Sequence, residues 1–599
     1  MKHLNVWILQ TGEPLHIDEG SVRPMRAMNL SNALVEAGHK VVLWSSSFYH
    51  QEKRHRICSG QIIKVSDNLE IRLIPSRGYK HNIGFDRLRD HAQLALNLRM
   101  MLRKVEIYPD VAFIGYPPIE AAAVLSSWLA QRGIPSLLDV KDQWPSIFLN
   151  SLTSPLKYLG WMAILPYYYL ARRAMRDATG LSAMTCTFLD WALAIAGRAR
   201  TDSDGVFPLT SPVDRISSSK LDESRRWWNK QGVFDDGRFR VCFVGSHSSA
   251  FDFSSVRDAA ALAAAEEVPC EFIICGDGSQ SRELRLMMSN LPNVRFPGWI
   301  DHSKTIALAE ICKAMVAPYH NTEDFRMSVP NKIIDSLSLG LPVLSPLQGE
   351  VASLIDRYGV GMRYGGDTGT TLYDCIKALS GDESLREGLS NRARATYIDH
   401  FSFERVYGGL VNHLEGFVKD HSAKRYILYS SRSDSFNDDQ GSLRSGYHLD
   451  VWKPTPFSLA PKELASPTFI MWWLFHWARI FKNQKYHVVL IRNRHGKLAH
   501  YTVVLPPHFR FPFMQNADLQ VGPIGTMIDH RRNHLALHAL QHIVREYTDF
   551  HCLLWYVVRK ENEPSIRLIE KMGFKAAGEG LKVRSRYLRL FSKYIFIGK

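Results

Sequence analysis

The residues able to do chemistry in this chain cluster where short apolar runs end. In Ser328-Val329-Pro330-Asn331-Lys332-Ile333-Ile334-Asp335, a proline and an asparagine open a helix and Lys332 follows at once. The first N–H groups of a helix lack intrahelical partners and carry the positive end of its dipole. This start, with a cation in its first turn, therefore suits a diphosphate. Asp335, one turn further on, can accept hydrogen bonds from ribose hydroxyls. A second set follows the first apolar run: Gln10-Thr11-Gly12-Glu13-Pro14, then Asp18-Glu19-Gly20, with Arg23 and Arg26 at the start of the next helix. Gly12 and Gly20 permit close backbone approach there. The segments from Ser47 to Lys53 and from Asp139 to Pro145 place His50, Lys53, Lys141 and Asp142 just beyond strand ends, as the walls of an active site would be.

Such groups need a frame. Residues 1–212 alternate apolar runs near 4–9, 40–45, 111–115 and 134–139 with helical stretches, and a second strand–helix series begins at 239–246 and repeats at 270–278 and 314–319. Strands separated by helices predict parallel sheets covered on both faces, with ligands at the carboxyl ends of the strands. A length of 599 residues exceeds what one core serves and points to three or four domains.

Composition narrows the function classes. With 45% hydrophobic and 22% charged residues the chain reads as folded throughout. Its formal net charge of +15 favours anionic partners such as nucleotides and lipid headgroups, and no nucleic-acid-binding signature accompanies it. The eight cysteines show no CxxC pair and no Cys/His zinc spacing, so free thiols in a reducing cytosol and no metal are expected. Met1 leads almost directly into the first strand without a signal-like segment, which predicts a cytoplasmic protein. The run from Leu156 to Leu170, broken by Lys157 and Pro166 and closed by Arg172 and Arg173, is too short to span a bilayer. It suits either peripheral contact with the inner-membrane interface or an ordinary core helix with a basic end.

The order of the second series, with Cys275-Gly276-Asp277-Gly278, the 328–344 segment and Gln348-Gly349-Glu350, resembles family 4 retaining glycosyltransferases of the GT-B fold, in the branch that builds bacterial surface polysaccharides. The resemblance spans residues 1–420: an acceptor lobe at 1–212 and a nucleotide-sugar lobe at 213–420 with a closing helix. It implies that Glu350 lies near the donor and that Trp299 and Ile300 frame the base through backbone contacts. Two departures stand out. The family's paired glutamates fall on Met327 and Asp335, and its Arg and Lys beyond the first strand of this lobe have no counterpart between Gly245 and Asp252. Lys332 is the candidate to supply that charge. The implied reaction is glycosyl transfer with retention from a nucleotide-sugar, expected to be a UDP-linked N-acetylhexosamine, to a glycan or lipid-linked acceptor. Lys332, arginines and helix starts would take the diphosphate charge without a metal. His50 or Asp142 would orient the acceptor hydroxyl, or the phosphate itself would take the proton.

Beyond a polar stretch read as a linker at 421–445, residues 446–599 resemble the later part of a GNAT acetyltransferase. The turn Arg531-Arg532-Asn533-His534-Leu535-Ala536, with Asn562-Glu563-Pro564-Ser565 and Glu570-Lys571-Met572-Gly573-Phe574 after it, carries the resemblance. It implies that this turn holds the acetyl-CoA pyrophosphate on backbone N–H groups at a helix start, with His534 in place of the family's middle glycine, and that Asn562 and Ser565 meet the CoA arm. The phenol that often protonates the departing thiolate is Ile569 here. Tyr587 is the nearest later phenol, and His530 and His538 flank the turn. The combined expectation is a bifunctional enzyme of surface-glycan assembly, joining glycosyl transfer to acetyl-CoA-dependent N-acetylation of an amino-sugar. The alternative is a single glycosyltransferase with a non-catalytic GNAT-like docking module.

Overall fold

The computed structural model describes residues 3–18, 23–56, 62–81, 84–146, 154–211, 216–365, 368–422, 425–431, 443, 445–547, 552–584 and 592–598. Gly20, Cys58, Tyr587 and residues 432–442 of the polar stretch lie outside them. The chain divides into two compact units, Met1–Ser127 with Pro135–Phe417, and Trp128–Ile134 with Val418–Lys599.

The first unit holds two large sheets and a two-stranded ribbon of Phe48–Tyr49 with Arg54–His55. One is eight-stranded, in the spatial order Gly205–Val206, Gly180–Ala183, Ser136–Val140, Val111–Tyr116, Asn5–Leu9, Lys40–Ser46, Leu69–Ile74 and Ile62–Ser66. Every neighbour pairs parallel except the last two strands, which form an antiparallel hairpin. The other is six-stranded and wholly parallel: Val294–Gly298, Cys270–Cys275, Phe239–Val244, Ala314–Val316, Val343–Ser345 and Gly361–Arg363. Central strands such as Val111–Tyr116 and Cys270–Cys275 are buried at every residue, as helices on both faces of a parallel sheet require. This is why they read as unbroken apolar runs rather than alternating ones. Two Rossmann-like lobes result. The closing helix Phe403–Ser422 returns to the first lobe, where Tyr407 accepts from Asn29 at 3.3 Å and Glu415 pairs with His39 at 3.0 Å.

Helix Ser154–Asp177 carries Pro166 inside it and exposes Met162, Leu165 and Tyr169. Among the described residues no helix is long and apolar enough to cross a membrane.

The second unit is a mixed eight-stranded sheet in the order Tyr447–Trp452, His487–Asn493, Leu498–Leu505, Leu519–Thr526, Leu554–Arg559, Arg425–Ser431, Lys575–Arg584 and Ser592–Gly598. Only Leu519–Thr526 and Leu554–Arg559 run parallel. Strand Arg425–Ser431 lies within the stretch read as a linker, yet it is interior to this sheet, antiparallel to both neighbours, with Leu428 and Tyr429 buried. Residues 425–431 of the 421–445 segment are therefore part of the second sheet.

Candidate active sites

The six-stranded lobe opens a cavity of about 450 Å³ at the carboxyl ends of its strands, lined by Trp299, Ile300, Asn331, Lys332, Asp335 and Gly245 among others. Five residues singled out from sequence thus share one wall. Helix Asn331–Ser338 begins at Pro330 with no side-chain cap; within its first turn the Lys332 N–H meets Tyr319 and the Ile333 N–H donates to the Pro330 carbonyl. Lys332 turns inward beneath the glycine loop. Its Nζ donates to the Val244 carbonyl and lies 4.6 Å from the Phe243 ring centre. Burial pulls its amine down to about 8, against the opposing pull of Asp335. Gly245 is required here: its φ is +150°, and an added Cβ would stand 1.6 Å from Lys332 Nζ. Asp335 lines the same cavity. Both its oxygens accept from Arg23 of the other lobe, at 3.1 and 2.9 Å.

Glu350 opens the helix Glu350–Tyr358 but does not line that cavity; it accepts from the backbone N and hydroxyl of Thr187. Met327, where the family has a carboxylate, receives the Gln143 amide on its sulfur at 2.9 Å and the Thr185 hydroxyl on its carbonyl at 2.5 Å. This stretch therefore binds the first lobe directly.

The first lobe holds a cavity of about 220 Å³, lined by Gly12, His50 and Asp142. A larger one of about 500 Å³ shares Glu13, Met25 and Lys141 with it, and Arg23, Pro24 and Asn331 with the Lys332 cavity. The three adjoin in one run from His50 to Lys332. His50 Nδ1 lies 2.5 Å from the Tyr79 hydroxyl and 3.1 Å from Lys53 Nζ. An ammonium only donates, so Nδ1 accepts and Nε2 carries the proton. Burial, with Lys53 and Arg87 nearby, lowers the imidazole to about 4 and keeps it neutral. His50 can then donate to an acceptor oxygen but is a poor base, whereas Asp142, raised by burial, can accept.

In the second unit, helix Leu535–Glu546 starts at the turn 531–536 without a side-chain cap. His534 sits there at φ +57° and Arg532 at +66°, left-handed conformations that glycine adopts without steric cost. His534 thus holds the backbone shape of the glycine it replaces. We expect His534→Gly to keep acetyl-CoA affinity and raise unfolding stability by up to about 1 kcal/mol, measured by denaturant titration. A loss of stability would mean that the imidazole itself is needed. The parallel strands Leu519–Thr526 and Leu554–Arg559 pair only at Leu519–Leu554 and Gln520–Trp555, then part. Asn562 accepts from Ser565 N at 3.3 Å and so caps the helix Glu563–Lys571. His530 Nδ1 meets the Tyr447 hydroxyl at 3.0 Å.

Residues 238–381 match the family of group 1 glycosyl transferases, and residues 453–574 match the GNAT acetyltransferase family. The chain carries a group 1 glycosyltransferase domain and a GNAT domain. It is accordingly a transferase, with one domain for glycosyl and one for acetyl transfer, and the two families imply a nucleotide-sugar and acetyl-CoA as substrates. Sucrose-phosphate synthase of Thermosynechococcus elongatus superposes with a TM-score of 0.51 at 12% identity, covering 70% of this chain and 100% of its own; it supports the GT-B fold. Trehalose 6-phosphate synthase of Burkholderia multivorans scores 0.48 at 10% identity (70% and 100% covered), and WaaG, a glycosyltransferase of lipopolysaccharide biosynthesis, 0.47 at 14% (69% and 100%). No curated protein matches the sequence.

Sequence reasoning missed several groups of the glycosyltransferase cavities. Tyr79, Arg87 and His91 line the His50 cavity but come from segments with no motif of their own. Glu120, 3.9 Å from His91, is pushed up to about 7 by burial. Arg26, at the start of the first helix, is structural, its guanidinium 2.8 Å from buried Asp139 and donating to the carbonyls of Phe207 and Pro208.

Proposed function

We propose that the glycosyltransferase unit, with an acceptor lobe at 1–212 and a donor lobe at 213–420, moves a sugar with retention from a UDP-linked donor to a glycan or lipid-linked acceptor in bacterial surface-glycan assembly. The GNAT unit N-acetylates an amino-sugar in the same assembly. The observation that carries the first part is Lys332, a half-buried cation in the first turn of a helix without a side-chain cap, beneath a glycine whose φ of +150° disfavours any side chain. In this reading Lys332 and the helix start balance the charge of the departing diphosphate without a metal. Glu350 and the Arg23–Asp335 pair hold the lobes in register beside the donor. His50 steadies the acceptor through Nε2–H, and Asp142 accepts from its hydroxyl.

Asp142→Asn is expected to lower kcat for glycosyl transfer by about a hundredfold, with acetyl transfer unchanged as the internal control. His50→Gln, which keeps an N–H donor, should cost less. Equal losses would mean that the two share one role.

For acetyl transfer, the parting strands and the uncapped turn 531–536 support binding of acetyl-CoA. Tyr556 is a buried phenol facing Gly522 at the point of parting, and it stands in for the phenol absent at Ile569. The docking-module reading draws on Ile569, which is wholly within the core. A cytoplasmic enzyme resting peripherally on the inner membrane fits helix Ser154–Asp177, whose exposed Met162 and Tyr169 run into exposed Arg172 and Arg176. The test is mass spectrometry of purified protein with a panel of UDP-sugars, lipid-linked acceptors and acetyl-CoA. Glycosylated and acetylated products support the reading, glycosylated product alone favours the docking module, and neither overturns it.

A further inference from the structure

Helix Pro467–Trp477 of the second unit is apolar on every side, although its own unit uses only one. Phe469, Trp472 and Phe475 enter the core with Phe481 and Tyr486. The other side exposes Ile470, Leu474 and Trp477, at 41%, 52% and 47%, and Ile480 follows at 42%. Steps of four and three residues place the three helical ones in one stripe, and Ile480 follows beyond the helix end. Phe457, 97% exposed in the preceding loop, adds a large apolar side chain. A helix that is apolar all round is normally covered all round, and a contiguous exposed patch of this kind marks an interaction surface.

Charge identifies the occupant. Between Lys453 and Lys485 the chain carries Lys453, Lys462, Arg479, Lys482 and Lys485 against one carboxylate, Glu463, which is paired with Arg492. A second copy would bring the same cations against one another, whereas an anionic bilayer complements them. Eleven residues rise about 16 Å, half the hydrocarbon thickness, so the helix lies in the interface. There tryptophan sits at headgroup level and an apolar stripe with basic flanks gains both burial and attraction. We infer that the Ile470–Leu474–Trp477 stripe, with Ile480 beyond the helix end, seats the GNAT unit on an anionic lipid surface. This surface is distinct from helix Ser154–Asp177 and does not depend on it.

Flotation of the intact protein with phosphatidylcholine vesicles, with and without phosphatidylglycerol, tests this. The protein should float with the anionic vesicles and release in high salt. The Leu474→Ser/Trp477→Ser variant should lose about tenfold or more in partitioning, whereas Met162→Ser/Tyr169→Ser should leave that stripe-dependent part intact. In case the first variant unfolds, quenching of tryptophan fluorescence by brominated lipid is compared between the native protein and Trp477→Phe; a smaller quenched fraction in the variant places Trp477 in the bilayer. Three results would overturn the inference: no flotation of the native protein with anionic vesicles, unchanged flotation and quenching on altering the stripe, or a shift from dimer to monomer with flotation unchanged.

Discussion

Lys332→Ala is expected to cost about 2–4 kcal/mol of transition-state stabilisation in glycosyl transfer, a loss of about 30- to 900-fold in kcat/KM, while acetyl transfer stays at its native rate. The ammonium of this half-buried side chain packs over the Phe243 and Phe251 rings and donates to the Val244 carbonyl. Arg23, whose guanidinium is the other charge on that wall, is held by Asp335. The pH dependence follows from the same burial. With the amine lowered to about 8, the cation is present below that pH and lost as pH rises through it. The KM for the donor should therefore climb above about pH 8 in the native enzyme and change little in Lys332→Ala. Steady-state kinetics across that range checks both. Near-native transfer by the alanine variant would move the diphosphate contact elsewhere in the cavity.

The second large effect concerns where the chain can be cut. A fragment of residues 446–599 lacks strand Arg425–Ser431 and leaves Leu554–Arg559 and Lys575–Arg584 without their shared partner. Losing the buried side chains of Leu428 and Tyr429 alone removes about 3–6 kcal/mol, a large part of the roughly 5–15 kcal/mol that holds a domain folded. That fragment should fail to melt cooperatively, whereas 423–599 should fold and bind acetyl-CoA. Circular dichroism with thermal melts separates them. Cooperative melting of the shorter fragment would show that the sheet closes without its interior strand.

This strand also shows what the sequence could not disclose. Tyr426-Ile427-Leu428-Tyr429 is a plausible strand locally, but its partners lie far along the chain, and period-two patterning carries no information about which edge a strand will fill. The central strands of both lobes were legible because parallel strands buried on both faces are unbroken apolar runs. Helix Asn331–Ser338 was legible because Pro330 and Gly340 bracket it, and with it came the juxtaposition of Asn331, Lys332 and Asp335 with Trp299 and Ile300. The Arg23–Asp335 and Thr187–Glu350 contacts were not, since each joins two lobes whose docking depends on tertiary packing. His534 lay between these cases. Its identity argues against a glycine turn, yet the surrounding backbone holds it at φ +57°, so the local rule yielded to the turn's geometry.

The central claim is that one chain holds two independent anion-binding sites, for a nucleoside diphosphate at Lys332 and for acetyl-CoA at the turn 531–536. Calorimetric titration of the intact protein with UDP and with acetyl-CoA tests it most directly, alongside Lys332→Ala and Ala536→Glu. The new glutamate would sit in the first turn of helix Leu535–Glu546, where it favours the helix dipole yet repels a pyrophosphate. The native protein should bind both ligands, Lys332→Ala should lose UDP alone, and Ala536→Glu should lose acetyl-CoA alone. Binding of either ligand that survives its own variant, or is lost in the other's, would contradict the account.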